Sequence, residues 1–200
     1  MITCILLASG FGRRFGCNKL LYPYHGQAMY RYALDALLDL QKQEMGEEEI
    51  RILLVTQYRE IEEELKNLTV IHNSQAEEGI SASIRLGVAA SGDADYYLFL
   101  SGDQPDLKSD TLRSFLQQSL QVCRSSGKTM ASACAQGQPG QPTLFSSMWR
   151  EELLALHGDQ GGRRIMKKYP EQVYWHEIPA EEIRDIDFVP DFSLEELWDA

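Results

Sequence analysis

The stretch that decides the fold of this 200-residue chain is residues 5–21, Ile-Leu-Leu-Ala-Ser-Gly-Phe-Gly-Arg-Arg-Phe-Gly-Cys-Asn-Lys-Leu-Leu. It begins inside a near-continuous apolar run over residues 2–8, which predicts a strand buried on both faces of a parallel sheet. The glycines that follow let backbone N–H groups approach a ligand closely, and Arg13, Arg14 and Lys19 add positive charge to the same loop. The sequence therefore predicts an anion-binding loop directly after a buried first strand.

The distribution of acidic residues around this loop supports the prediction. The chain carries 30 Asp and Glu against 19 Lys and Arg, for a net charge of -11, yet its first acidic residue is Asp35. At an ordinary composition a segment of that length would hold about five acidic residues. We therefore expect a phosphate-rich ligand at the loop. The negative net charge argues against nucleic acid and anionic membranes as partners.

Strands and helices alternate along the rest of the chain. Strands are predicted at residues 2–8, 50–55, 69–72, 96–100, 130–135 and, in shorter pieces, at 143–145, 173–177 and 183–186. Helices are predicted at residues 28–43, 58–68, 78–90, 109–124, 146–156 and 158–169, with a last helix capped by Ser193 and a loop at 136–142. Such alternation is typical of a single-domain, three-layer α/β/α sandwich with a mostly parallel, Rossmann-like sheet, here spanning residues 1–200.

Polar residues gather at the predicted carboxyl ends of the strands. The clusters are residues 9–19, 73–83, 101–106 and 185–187. Because right-handed crossovers bring the carboxyl ends of parallel strands to one edge of a sheet, we expect the four clusters to converge on one crevice. The second cluster opens a helix, whose free N–H groups suit an anion or a sugar hydroxyl.

Two familiar phosphate-binding loops fit the glycine pattern poorly. A Rossmann dinucleotide loop needs an acidic residue at the end of the second strand, where this chain has Gln57, and it leads directly into a helix, which Pro23 interrupts here. A P-loop needs Gly before its lysine and Ser or Thr after it, and Lys19 has neither. The loop cations Arg13, Arg14 and Lys19 favour the phosphates of a nucleoside triphosphate as the ligand. An ordinary tight turn that binds nothing remains open as an alternative interpretation of the glycine pattern.

Two groups of aspartates are candidate metal ligands. Asp103 directly follows an apolar strand, and a carboxylate in this position suits Mg²⁺, which prefers carboxylate and phosphate oxygens. Asp185, Asp187 and Asp191 form a second acidic group late in the chain. For both groups the residues alone leave another interpretation open, namely a turn aspartate that bonds its own backbone or a helix cap.

A second loop rich in glycine and arginine spans residues 158–164 and reads Gly-Asp-Gln-Gly-Gly-Arg-Arg. Backbone N–H groups and guanidinium groups in such a loop suit a phosphate of an acceptor molecule. The cations at the end of this loop and beyond it, Arg164, Lys167 and Lys168, instead fit a solvated helix face.

The cysteines and histidines show no ligand spacing. The four cysteines form no CxxC pair, and the four histidines lie far apart. The sequence also shows no signal peptide and no apolar run near the roughly 20 residues that span a bilayer. We therefore expect reduced thiols in a soluble, cytoplasmic protein.

Six motifs, taken in order, resemble the MobA-like nucleotidyltransferases and, more closely, their molybdenum cofactor cytidylyltransferase branch. Residues 7–19 resemble the LAAGxSxRxGxxK signature, and residues 73–87 resemble an N…GxxxSxxxG segment. The later matches are GDxP at 102–105, GHPxLF at 140–145, GDxGxR at 158–163 and DIDTPxD at 185–191. The matches recur along the whole length of the chain.

The resemblance implies a doubly wound nucleotidyltransferase fold and a Mg²⁺-dependent reaction. CTP would be the donor, the phosphate of molybdopterin the acceptor, and a recipient molybdoenzyme a further partner. By matching position, the nucleotide would be held by Leu7, Ala8, Ser9, Gly10, Gly12, Arg14, Lys19, Asn73, Gly79, Ser81, Ser83 and Asp103. The acceptor would be held by Gln141, Pro142, Asp159, Gly161, Gly162 and Arg163.

The resemblance also implies which residues carry the chemistry. Arg14, Lys19 and Asp103 would be catalytic, and the metal would lie on Asp103 and Asp187, with Asp185 as the alternative second ligand. Several positions depart from the family pattern, among them Ser9, Gly12, Gln104, Gln141 and Phe188. Two alternatives therefore stay open. One is a related transferase that uses GTP or another small phosphorylated acceptor, and the other is a nucleotide-binding regulator or cofactor chaperone without catalysis.

Overall fold

The computed structural model describes residues 1–11, 18–43 and 48–186, and its centre is a seven-stranded sheet. The strands of this sheet are β1 Ile2–Ala8, β4 Ile50–Thr56, β5 Thr69–His72, β6 Tyr96–Ser101, β7 Met130–Ala135, β8 Gln138–Ser146 and β9 Val173–Glu177. A separate two-stranded hairpin is formed by β2 Pro23–Tyr24 and β3 Gln27–Ala28.

The order of the strands across the sheet is β5-β4-β1-β6-β8-β7-β9. Strand β1 pairs in parallel with both β4 and β6, so the first strand lies at the centre and its carboxyl end meets theirs. The outer pairs β4–β5 and β7–β9 are also parallel, whereas β8 runs antiparallel to both β6 and β7. The predicted α/β fold with a mostly parallel sheet is confirmed.

Helices cover both faces of the sheet. They are α1 Met29–Lys42, α2 Arg59–Glu64, α3 Ile80–Ala90, α4 Ser109–Ser126, α5 Arg150–Leu154 and α6 Arg163–Lys168. Side chains alternate along a strand, so Leu6 packs in the same core as α1 and α4, while Ile5 packs in the core formed with α3, α5 and α6. The seven residues of β1 are all buried, as expected for a strand covered on two faces.

Helix α3 packs directly on the central strand at Gly87. A Cβ atom at Gly87 would come 2.5 Å from a methyl carbon of Ile5, so that side chain or the helix would have to shift. The glycine therefore lets the helix rest on β1.

Several predicted elements differ from the structure, among them the helix predicted at 158–169, which begins only at Arg163 and ends at Lys168. Residues 136–142 are not a loop, because Gln136 and Gly137 both have positive φ and form a tight hairpin, and β8 starts at Gln138. Residues 183–186 are not a strand, because a 3₁₀ turn at Ala180–Ile183 comes first and the following backbone bonds a loop instead of the sheet. The helix predicted at 58–68 is shorter and ends at Glu64, after which Leu65 and Leu68 form turns.

The predicted C-terminal helix, capped by Ser193, lies outside the described residues. Within the ranges that are described, no helix is both long enough and apolar enough to cross a lipid bilayer.

Candidate functional site

The chemistry of the site centres on an ion pair between two distant segments of the chain. Lys19 Nζ lies 2.6 Å from Asp103 Oδ2, and both side chains are largely buried, with exposed fractions of 9% and 16%. Lys19 Nζ also donates a hydrogen bond of 3.2 Å to the carbonyl oxygen of Ile186. Burial of the pair lowers the local dielectric constant, so the attraction between these charges is stronger than it would be at the surface.

Local structure explains why Lys19 points inward. It begins a 3₁₀ turn, Lys19–Leu21, which is capped by Asn18 through a hydrogen bond of 3.2 Å from Leu20 N–H to the side-chain oxygen. Leu20 is 2% exposed and packs in the core, so the turn is anchored on both sides of the lysine. A cation on a loop would otherwise extend into solvent.

The position of Asp103 follows from the pairing of β1 with β6. Strand β6 ends at Ser101, and the N–H of Gly102 donates to the carbonyl of Leu7 at 3.0 Å. The hydroxyl of Ser101 then donates to Asp103 Oδ1, which fixes the orientation of the carboxylate. The carboxyl ends of β1 and β6 are therefore hydrogen-bonded to each other next to Asp103.

A segment that we call the strap, residues 182–186, returns from the far edge of the sheet to this loop. The N–H of Ile186 donates to the carbonyl of Asp103 at 3.0 Å, and the side-chain amide of Gln104 donates to the carbonyl of Ile183 at 3.0 Å. Glu182 accepts a hydrogen bond of 3.1 Å from the N–H of Lys108. These bonds hold the strap against residues 103–108, which brings the late acidic group next to the first.

The burial of Glu182, which anchors the strap, could not be predicted from the sequence. Glu182 is 2% exposed, although it lies in an Ala-Glu-Glu-Ile segment that looks like ordinary solvated surface. A single buried acid among exposed acids leaves no signal in one sequence, because its partner, the Lys108 backbone, is remote along the chain. Gln104, also 2% exposed, was noted only as a departure from the family pattern.

Beside the ion pair lies a cavity of about 750 Å³. Its apolar lining includes Leu7, Phe99 and Ile84, and the strap contributes Ile183 and Asp185. Five of the six residues predicted to hold an acceptor line the same cavity, namely Gln141, Asp159, Gly161, Gly162 and Arg163. Pro142, the sixth, follows Gln141 in β8 through a cis peptide bond and is buried.

The second polar cluster contacts the loop of residues 158–164. Gly79 has φ +97°, and a Cβ atom there would overlap the Asp159 carboxylate and come 2.7 Å from the Gly158 carbonyl carbon. The N–H of Ser81 donates to the carbonyl of Gly158 at 3.2 Å. One N–H at the start of α3 is thus bonded to protein, so that end of the helix offers fewer free donors than its sequence indicates.

The polar side chains of this cluster bond one another. Asn73, Ser81 and Ser83 are 1%, 0% and 3% exposed, and Asn73 Nδ2 donates to Ser83 Oγ at 3.0 Å. Ser81 Oγ accepts a hydrogen bond of 3.2 Å from Arg85. These bonds lock the turn that leads into α3, and the groups lie under the surface that was expected to meet a nucleoside.

The structure describes only some of the other residues predicted for the first loop. Ala8 is fully buried, and Ser9 is 8% exposed with its hydroxyl on the carbonyl of Val55 at 3.1 Å. Gly10 is exposed, and its carbonyl accepts a hydrogen bond of 2.6 Å from Tyr58. Gly12, Arg14 and Asp187 lie outside the described residues.

Two amide oxygens near the cavity are buried and lack a hydrogen-bond partner within the described part of the chain. They are Oε1 of Gln104 and Oε1 of Gln141. The orientation of the first is set by its amide nitrogen, which donates to Ile183. Both glutamines line the cavity at positions where the family pattern has other residues. The polarity of this wall is therefore a feature of this chain.

The described cysteines lie away from this chemistry. Burial raises the pKa of Cys4 to about 12, and burial together with the Glu177 carboxylate raises the pKa of Cys134 to about 11. Both thiols are therefore protonated and poorly nucleophilic near neutral pH.

In the residues covered by the structure no group of three or more His, Cys, Asp and Glu side chains forms a metal cluster.

Comparison with known proteins gives a consistent picture. The family model described as the MobA-like NTP transferase domain matches residues 4–173. The molybdenum cofactor cytidylyltransferase of Escherichia coli K12 is 29% identical over 150 residues, which are 72% of this chain and 70% of that protein. The purine catabolism protein PucB of Bacillus subtilis 168 is 25% identical over 174 residues, 82% of this chain and 79% of that protein.

Solved structures share the fold. Rv0371c from Mycobacterium tuberculosis H37Rv superposes with a TM-score of 0.74 at 22% identity, covering 95% of this chain and 94% of that one. A complex of the same protein with manganese superposes with a TM-score of 0.66 and covers 88% of each chain. At this level of identity the likeness establishes the fold, with the same architecture over nearly the full chain.

Proposed function

Since this chain belongs to the MobA-like NTP transferase family, we propose that it transfers CMP from CTP to the terminal phosphate of molybdopterin and releases pyrophosphate. The observation that carries this proposal is the buried pair of Lys19 and Asp103 at the edge of a 750 Å³ cavity. The pair sets a cation and a hard oxygen ligand side by side, and the cavity supplies room for an organic acceptor. The similarity to the E. coli cytidylyltransferase supports the choice of CTP and a pterin.

The residues around Asp103 fit a divalent cation such as Mg²⁺. Asp103 Oδ2 and the Ile186 carbonyl already surround the ammonium group of Lys19, and both are oxygen donors. Mg²⁺ in nucleotide sites takes one or two carboxylates and completes its shell with phosphate oxygens and water, so a small protein donor set is sufficient. Asp103 would hold the ion, with Asp187 as the second ligand and Asp185 as the alternative.

Each group has a defined task in the proposed reaction. A phosphate oxygen of the acceptor attacks the α-phosphorus of CTP in line, the new P–O bond forms, and the bond to the β-phosphate breaks to release pyrophosphate. The nucleophile is already an anion, so no general base is required and catalysis depends on positioning and on charge neutralisation. A bound Mg²⁺ would neutralise phosphate charge and stabilise the leaving group.

The chain supplies the remaining positive charge. Lys19, with Arg14 from the same loop, would bind the triphosphate and stabilise the charge that develops on the leaving pyrophosphate. Backbone N–H groups near Gly10 and Gly12 would approach the phosphates closely, since glycine presents no side chain. The burial of the Lys19 pair limits water around these charges, which strengthens their effect on the transition state.

The acceptor would occupy the cavity next to the pair. Gln141, Asp159 and Arg163 line it, and Gly161 and Gly162 allow the acceptor to approach the backbone. Gly162 lies against Phe145, where a Cβ atom would come 2.6 Å from the ring, so any larger residue would push this wall inward. Such a reaction would take place in the cytoplasm, and the product would pass to a recipient molybdoenzyme.

The test is turnover with each nucleotide. The purified protein, molybdopterin and Mg²⁺ are combined with CTP, GTP, ATP or UTP, and pyrophosphate release is measured. We expect CTP to give the highest kcat/KM. A preference for GTP would overturn the assignment of the base, and turnover with a different phosphorylated acceptor would favour a relative with another acceptor, as the similarity to PucB allows. Nucleotide binding without any turnover would favour a regulator or chaperone.

A further inference from the structure

Helix α6 presents two cations to the cavity that have no task in the proposed reaction. Arg164 and Lys167 line the cavity and are three residues apart, so they lie on one face of the helix. The sequence pattern alone favoured a solvated helix face for both. Their neighbour Arg163 is already engaged, because its guanidinium donates to the carbonyl of Pro139.

The charges around these two side chains make them available to a ligand. The protein carries a net charge of -11, yet over the described ranges neither Arg164 nor Lys167 has a carboxylate within 4.0 Å. The carboxylates that line the same cavity are Asp159, which lies against Gly79, and Asp185 on the strap. Within the described residues, these two cations form no ion pair and give the cavity wall a positive patch.

The patch lies at a different part of the cavity from the reacting phosphate. Helix α6 begins after Gly162, which rests on Phe145 of β8. Lys19 and Asp103 instead lie where β1 and β6 end, and β8 is the second strand from β1. Apolar side chains, including Leu7 and Phe99, also line the cavity. The α6 cations therefore line the cavity itself, whereas the Lys19–Asp103 pair, whose charges balance in the absence of a ligand, lies beside the lining residue Gln104.

We propose that the acceptor carries a second anionic group, remote from the phosphate that reacts, and that Arg164 and Lys167 bind this group. The inference rests on the proposed function, because it defines the acceptor of that same reaction as a flat organic body with two anionic ends. It adds a specificity rule: a small phosphorylated acceptor with one anionic end leaves the α6 patch empty and is used poorly.

The first test measures kinetics with molybdopterin as the acceptor in the variant Arg164→Gln/Lys167→Gln. Each cation contributes a charge-assisted hydrogen bond, so we expect the KM for the acceptor to rise by at least about tenfold. The KM for CTP and the kcat are expected to stay within about twofold, because the lost contacts are made equally in the bound and transition states. Rising salt should increase the acceptor KM more steeply in the wild type than in the variant.

The matched control is Lys168→Gln. Lys168 lies on the same helix, carries the same charge and sits over the Tyr169 ring at 5.0 Å, outside the cavity lining. We expect this control to leave the acceptor KM unchanged. An unchanged acceptor KM in the double variant would overturn the inference, and a raised KM for CTP would assign the patch to the nucleotide.

A second test does not depend on the reaction. Calorimetry compares naphthalene-2-sulfonate with naphthalene-2,6-disulfonate, two flat aromatic probes with one and two anionic ends. We expect the disulfonate to bind more tightly to the wild type, and the double variant to lose this advantage while Lys168→Gln keeps it. If the protein shows no transfer activity but gives this result, the proposed function fails and the two-ended site stands. Equal binding of both probes by the wild type overturns the site.

Discussion

Lys19 Nζ lies 2.6 Å from Asp103 Oδ2, so the carboxylate that would hold a divalent cation is neutralised by a lysine of the same chain. The lysine is also bonded to the Ile186 carbonyl, and it therefore lies against the carboxylate that would hold a metal ion. An ammonium group and a dication cannot both sit against one carboxylate oxygen without repulsion. The site would accept a metal most readily when nucleotide phosphates draw Lys19 away.

The first prediction concerns metal binding without nucleotide. In Lys19→Met, the competing cation is removed, and we expect Mn²⁺ to bind the nucleotide-free protein at least about tenfold more tightly than the wild type, since several kcal/mol of local repulsion are relieved. Turnover should fall in the same variant. Titration followed by electron paramagnetic resonance of free Mn²⁺ measures the affinity. Weaker Mn²⁺ binding in Lys19→Met would show that the lysine does not compete for this carboxylate.

The second prediction concerns catalysis by Asp103. Asp103→Asn keeps the shape of the side chain but removes its charge, and we expect kcat to fall by about 10²–10³ or more, the size typical for loss of one electrostatic stabiliser. Steady-state pyrophosphate release measures this. The control is Asp106→Asn on the same loop, whose carboxylate accepts a hydrogen bond of 2.7 Å from Tyr24. Equal losses in both variants would mean that the loop is merely disturbed.

The third prediction concerns the anchor of the strap. Glu182 is 2% exposed, accepts the N–H of Lys108 and pairs with Lys108 Nζ at 3.5 Å, so Glu182→Ala removes both contacts and leaves a buried site unfilled. We expect the free energy of unfolding to fall by about 1–3 kcal/mol. Urea denaturation measures the change. Glu181→Ala, at an exposed neighbour, should change it by less than about 0.5 kcal/mol. A similar effect of both substitutions would contradict the assigned role.

The fourth prediction concerns the backbone at the entrance to α3. Gly79 and Gly92 both have positive φ, but a Cβ atom would overlap protein only at Gly79, next to Asp159. Gly92→Ala should cost about 1–2 kcal/mol from the backbone conformation alone. Gly79→Ala should cost about 1–3 kcal/mol more, because its backbone (φ +97°, ψ -174°) lies in a region that is nearly restricted to glycine and because the loop of residues 158–164 must move. Thermal or urea unfolding of the two variants gives the comparison, and equal losses would contradict the special demands of position 79.

Much of the fold could be predicted because it depends on local patterns. The apolar run of β1 and the loop aspartate Asp103 both follow from the residues that surround them. The start of β8 was missed because its prolines, Pro139 and Pro142, contribute no N–H to a ladder and so resemble loop residues. Pairing with β7, through Cys134 and Ala135, overrides that local signal.

The parts of the site that could not be predicted depend on contacts between remote segments. Residues 183–186 have strand-like composition, but their hydrogen bonds go to the loop around Asp103, about eighty positions earlier in the chain. The burial of Glu182 depends on the same contact. Arg164 and Lys167 are exposed, as predicted for a solvated helix face, but their place beside the cavity depends on how Gly162 packs on Phe145, which no periodicity reports.

The strap has a consequence for how folding and site assembly are related. All seven strands of the sheet end by Glu177, whereas residues 182–186 lie outside the sheet and bond Asp103, Lys19 and Gln104. A change confined to these five residues can therefore disturb the site while every strand pair stays in place.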